Sequence, residues 1–262
     1  MRVLDIEPLS DAWFDYRARR ISGTSVAAIL GRSRFSSPFA EWMRLTGRQT
    51  APRSLDNPYA EFGTRSEPWN AQWFLEDHPG WSLKRDDLFI AHPKHDWLCA
   101  TLDGVVTDPS RDDLFEPGLW EAKCPSVWTH DEWKDEPPLA YQIQLQVQME
   151  VAQLDWGCIS VMLIPERRTY LYERNEPFLS ACMTELERFW VEHVEADVPP
   201  EATGSQADRE ALAVLYGDGP GEPDENDLVE ACSVFERWSK VQAEAKALEK
   251  TGEAQKNRMM QL

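Results

Sequence analysis

The feature that most constrains this chain is the run Leu119-Trp-Glu-Ala-Lys-Cys-Pro125, which follows Ala100-Thr-Leu-Asp-Gly104 by fewer than twenty residues. Residues 118–124 read as a strand that Pro125 stops, since proline cannot continue a hydrogen-bonded ladder. Side chains alternate along a strand. Glu121 and Lys123 therefore share one face, and Trp120, Ala122 and Cys124 share the other. The carboxylate and the ammonium then stand roughly 6–7 Å apart on one surface. Taken alone, a Glu-x-Lys triplet fits a solvated strand face. Asp103, at the end of a neighbouring strand, changes that reading. Two carboxylates at one edge form a hard-oxygen set suited to Mg²⁺, with Mn²⁺ as a substitute. Such an ion activates water and neutralises charge on a phosphate, so the arrangement suits phosphodiester hydrolysis.

Composition bounds the alternatives. The chain has 262 residues, 42% hydrophobic and 28% charged, as expected of a globular domain with an appendage. No apolar run reaches membrane-span length, and the N-terminus lacks the order of a signal peptide. A cytoplasmic protein with no membrane partner is expected. The five cysteines form no Cys-x-x-Cys pair, which argues against zinc and iron–sulfur sites. The net charge of −19 opposes non-specific DNA binding by the whole surface. It is unevenly spread: residues 1–53 carry nine Arg against five Asp and Glu. Nucleic-acid contact outside the carboxylate site should concentrate there.

Periodicity and punctuation give an α/β (α+β) order. Helices are expected over 10–30, broken near Gly23, over Phe39–Thr46, from Asn57 to about Glu76, over Leu139–Leu154 and over 175–195. Strands are expected over 81–90, 97–107, 118–124, 158–164 and 169–172. Leu139, Ile143, Val147 and Val151 recur every fourth residue as a core stripe, with Gln144 off it. Residues 48–55 and 217–224 read as loops. A boundary is expected at Asp197, with a nuclease domain over 1–197 and an acidic linker and helical extension over 198–262. That extension meets no stop signal before Leu262, the pattern of a truncated helix.

Five blocks in order resemble the lambda-exonuclease and YqaJ viral recombinase family of the PD-(D/E)xK nuclease superfamily. They are Trp13-x-x-x-Arg17 with Ser22-Gly-Thr-Ser25, Phe62-Gly-Thr-Arg-Ser-Glu67, Ala100-Thr-Leu-Asp-Gly104, Trp120-Glu-Ala-Lys-Cys-Pro125 and Tyr141-x-x-Gln144-x-Gln146. The resemblance implies a restriction-endonuclease-like core, a mixed central sheet flanked by helices. It implies Asp103, Glu121, Glu67 and the main-chain oxygen of Ala122 as metal ligands. Lys123 would orient or deprotonate the attacking water, helped by a lowered pKa, and Gln144 would hold water or phosphate. Arg17, Ser25 and Thr101 resemble a pocket for a DNA 5′-phosphate. Here the pattern departs: the Arg17-to-Ser25 spacing is one residue longer than in the lambda-like pattern, Thr101 stands where that pattern has serine, and Arg19, Arg20 or Thr24 are alternative contacts. The implied activity is a Mg²⁺-dependent 5′-to-3′ exonuclease on double-stranded ends, phage or prophage encoded. It would feed 3′ tails to a single-strand annealing protein and work as a homo-oligomer such as a ring-like trimer. Two rivals stand beside it: an endonuclease on the same core, and a non-catalytic DNA-binding or scaffold subunit.

Overall fold

The computed structural model describes residues 1–49, 58–85, 88–111, 116–217 and 225–260. The loop expected at 48–55 and the acidic turn at 217–224 lie almost wholly outside them.

Among the described residues, nine strands form two mixed sheets. The first has the order β1-β4-β5-β2, from Arg2–Val3, Leu88–Ala91, Leu98–Leu102 and Ile21–Ser22. The second has the order β3-β6-β7-β8-β9, from Ser82–Lys84, Gly104–Thr107, Gly118–Lys123, Trp156–Leu163 and Glu166–Glu173. The mixed α/β core expected from the sequence is present, with its strands divided between two sheets. The stretch expected as one strand over 81–90 supplies β3 to one sheet and β4 to the other. The stretch over 97–107 divides at Asp103, with β5 on one side and β6 on the other. Gly104 makes that passage fit. A Cβ there would meet the Leu83 side chain at 3.0 Å, the Lys84 carbonyl at 3.1 Å and the Trp120 ring at 3.2 Å.

Eight α-helices accompany the sheets among the described residues: α1 Asp11–Ala18, α2 Gly23–Ile29, α3 Pro38–Leu45, α4 Pro58–Asp77, α5 Leu139–Ala152, α6 Glu176–Phe189, α7 Gln206–Tyr216 and α8 Glu225–Met259. Their starts follow capping chemistry. Ser10, Ser37 and Asn175 each accept a hydrogen bond from a first-turn backbone N–H. The largest core draws Ile90, Leu98 and Leu102 from the first sheet, Leu119, Ile159 and Val161 from the second, and Ile143, Val147 and Val151 from α5. Leu139, expected in that stripe, is exposed at the N-terminus of α5. A smaller core on the other face of β7 joins Trp120 to Ala71 and Phe74 of α4 and to Trp156. β7 is thus covered by α5 on one face and α4 on the other.

The chain divides into two compact units, Met1–Leu215 and Tyr216–Leu262. The boundary expected at 197 is too early, because α7 belongs to the first unit. Ala211 is buried in the main core, and fully buried Asp208 accepts hydrogen bonds from Ser37 and from Thr203. The second unit consists mainly of α8. No helix among the described residues is long and apolar enough to cross a membrane.

Candidate active site

Strand pairing fixes the site. β7 runs antiparallel to β6, with Gly104 opposite Trp120, and parallel to β8 through Lys123 opposite Val161. The pairing with β6 ends at Trp120, so Ala122 faces no strand on that side. Its N–H donates instead to Asp103 Oδ2 at 2.9 Å. N–H and C=O of one residue leave a strand toward the same edge. The Ala122 carbonyl is thereby directed to the Asp103 side.

Glu121 is buried, with 1% of its surface exposed. Its Oε1 accepts from Lys123 Nζ at 2.5 Å and from Gln144 Nε2 at 2.6 Å, and its Oε2 accepts from Gln148 Nε2 at 2.9 Å. Gln144 and Gln148 lie four residues apart on one face of α5, so both amides reach the same carboxylate. Gln148 Nε2 also donates to the Thr101 carbonyl at 3.2 Å, tying β5 to β7. Its Oε1 is buried without a hydrogen-bond partner among the described residues. Sequence reasoning missed Gln148. The available signal was its spacing from Gln144 between Val147 and Met149, two core positions.

These residues line one cavity of about 420 Å³. Asp103, Glu121, Ala122, Lys123, Gln144 and Thr101 all face it, as do Glu67 from α4 and Arg17 from α1. Glu67 pairs with Arg85 at 3.2 Å on its rim. Asn70 braces the end of β7, donating to the carbonyls of Ser160 at 2.9 Å and Lys123 at 3.3 Å.

Charge in the cavity is unbalanced in an informative way. Burial first, then Glu121 and Glu67, holds the Asp103 carboxyl well above the usual carboxylate range, while Lys123 and the Ala122 N–H oppose the rise. Burial disfavours the Lys123 ammonium, but Glu121 and Asp103 outweigh burial and raise its pKa. The protein's own groups thus raise the Lys123 pKa, whereas the lowering expected from the sequence is the effect of nearby divalent ions. Among the described residues, no three His, Cys, Asp or Glu side chains converge as a ready metal cage. The donor chemistry still fits a hard divalent cation: Asp103, Glu121, Glu67 and the Ala122 carbonyl offer only oxygen. A cation there offsets the repulsion that raises the Asp103 pKa.

A second wall is cationic. Arg17 lies over the Trp13 ring at 4.1 Å, and its Nη2 donates to Ser22 Oγ at 3.1 Å and Thr24 Oγ1 at 3.2 Å. No carboxylate pairs with it among the described residues, and burial lowers its pKa. Thr101 also lines the cavity, its hydroxyl accepting from Trp13 Nε1 at 3.1 Å. Ser25 does not line it. Its hydroxyl closes the α2 capping box, accepting from Ser22 N at 2.8 Å and donating to Ser22 O at 3.0 Å. Ser22 and Thr24 take the place beside Arg17 that was expected of Ser25. Arg20 is drawn away to the Tyr16 ring and the Asp96 carbonyl.

Comparison with known proteins agrees with this fold. A phage related exonuclease from Haemophilus somnus 129PT superposes with a TM-score of 0.50 at 14% identity, covering 68% of this chain and 96% of that one. The alkaline exonuclease LHK-Exo of Laribacter hongkongensis superposes with a TM-score of 0.58 at 22% identity, over 72% of this chain and 94% of that one. Its complex with dAMP gives 0.60 at 23%, over 80% and 99%. These likenesses establish a shared fold. Protein YqaJ of Bacillus subtilis (strain 168) is 24% identical over 254 residues, spanning 91% of this chain and 76% of that protein. The model of the YqaJ-like viral recombinase domain matches residues 12–155, and the chain belongs to that family.

Proposed function

We propose that this chain is a divalent-metal-dependent exonuclease that degrades double-stranded DNA ends from the 5′ side and leaves 3′ tails for an annealing partner. The observation that carries the proposal is a cavity lined both by Asp103, Glu121 and Lys123 and by Arg17, whose guanidinium pairs with no carboxylate among the described residues. One wall suits phosphodiester hydrolysis and the other suits a terminal phosphate. Support also comes from fold relatives that are themselves exonucleases, one solved with dAMP, a mononucleotide.

Asp103, Glu121, Glu67 and the Ala122 carbonyl would hold Mg²⁺, or Mn²⁺ in its place. When bound, the ion supplies a water of lowered pKa and a counter-charge for the phosphate. The side chains do the rest. Lys123, which lines the cavity beside Glu121, would orient or deprotonate the attacking water. Gln144 and Gln148 hold Glu121 in one rotamer. Arg17 offers a planar donor fork, already oriented by Ser22 and Thr24, to the phosphate at the strand end.

The test is nucleotide release from linear duplexes with 5′-phosphate or 5′-hydroxyl ends and from closed circles, with Mg²⁺ or EDTA. Release only with Mg²⁺, only from linear DNA and faster with 5′-phosphate supports the reading. Cutting of circles identifies an endonuclease, and no release identifies a non-catalytic subunit.

A further inference from the structure

The second compact unit is dominated by α8, 35 residues long. At about 1.5 Å per residue it forms a rod about 50 Å in length. Trp238 is 55% exposed and Leu248 73%, and Val234, Phe235 and Val241 are exposed as well. Exposed apolar side chains on a helix call for a partner when they fall in a stripe. Here they do. Ala231, Val234, Trp238, Val241, Ala245 and Leu248 alternate spacings of three and four, the a and d positions of successive heptads. The seam one residue further on, through Cys232, Phe235, Ser239, Gln242, Lys246 and Glu249, turns polar after Phe235.

We propose that α8 pairs with α8 of a second copy of this chain, antiparallel, about a two-fold axis passing between Ser239 and Lys240. In this register Ala231 meets Leu248 of the second copy, Val234 meets Ala245, and Trp238 meets Val241. Each layer sets a larger side chain against a smaller one, and symmetry repeats all three. The charges select this pairing. Arg237 and Glu244 are successive g positions, which face one another across an antiparallel seam. Arg237 of each copy then lies beside Glu244 of the other. A parallel pair instead sets Glu244 against Glu249 and gives Arg237 only Gln242. Sliding the antiparallel pair by one heptad opposes Glu244 to Glu244 in one direction and Arg237 to Arg237 in the other.

The inference is independent of the catalytic reading, and charge reversal tests it on the full chain by light scattering. Wild type should have the mass of an even number of chains. Arg237→Glu and Glu244→Arg should each halve that mass at equal concentration. The double variant should recover it, and so should an equimolar mixture of the two single variants, because opposite charges again face each other. An unchanged mass in both single variants overturns the proposal, as does a loss that neither the double variant nor the mixture repairs. Sensitivity to Glu249→Arg without sensitivity to Arg237→Glu marks a parallel pair and overturns it too.

Discussion

The two walls of the cavity are held by different means. Glu121 is fixed from every side: strand pairing sets its backbone, and an ammonium and two buried amides occupy both carboxylate oxygens. Arg17 is anchored by a ring face and two hydroxyls and carries no opposing carboxylate among the described residues. The first wall is built to keep one geometry. In the proposed reading, the second stays electrostatically unsatisfied until an anion arrives. Rate should therefore depend on the first wall and end preference on the second.

The largest effects test the first wall. Glu121→Gln and Asp103→Asn should each lower Mg²⁺-dependent nucleotide release by about a thousandfold or more, the scale of several kcal/mol of charge stabilisation. Asp103→Asn should also raise the melting temperature in EDTA. The folded state raises the Asp103 pKa, so ionising this carboxyl costs stability once pH exceeds the ordinary carboxylate value of about 3.9. The gain should vanish below that pH, where the carboxyl is protonated in both states. A melting temperature lowered at pH 7 in EDTA would contradict the crowding of charge at this wall.

Lys123→Ala should cost about a hundred- to ten-thousandfold in rate, the range for a group that positions or transfers a proton. Calorimetry should find Mn²⁺ binding nearly unchanged, because Lys123 is not a ligand. A parallel loss of metal affinity would merge two roles that the geometry separates.

Arg17→Ala addresses the second wall. It should reduce the preference for 5′-phosphate over 5′-hydroxyl ends by about ten- to a hundredfold at one fixed salt, the value of a charge-assisted contact. Ser25→Ala should leave that preference intact and lower only stability, by about 0.5–2 kcal/mol for a lost capping hydroxyl. If Ser25→Ala erases the preference instead, the phosphate does not sit where Ser22 and Thr24 hold Arg17.

The smallest effect sharpens the comparison. Gln148→Leu removes one hydrogen bond to Glu121 and one to the Thr101 carbonyl without touching either charge. It should slow release by about tenfold, while 5′-phosphate preference stays at the wild-type ratio. A change in that ratio would mean that the two walls are coupled through α5.

What the sequence made legible follows from local periodicity. The alternation in β7, stopped by Pro125, placed Glu121 and Lys123 on one face, and the structure brings Asp103 to the same edge. Sheet membership was not legible. Leu83 and Phe89 fall in one expected strand, and only the rest of the fold sends one to each sheet. Gln148 was hidden because a buried amide among apolar helix neighbours has the composition of a solvated one. Ser25 misled because a hydroxyl near a helix start serves the backbone as readily as a ligand. The boundary at 197 failed because consecutive prolines mark a turn without saying whether the chain turns back onto the core. Asp208 brings it back.

Asp103 is the single residue between β5 and β6, and so between two sheets. Its carboxylate is aligned by two frameworks at once, like a bearing seated in two housings. Packed interiors transmit small displacements. Repacking around Gly104, at Leu83 or Trp120, should therefore detune turnover without weakening the grip on DNA. Variants selected only for heat resistance will report on this alignment even when they change nothing in the cavity.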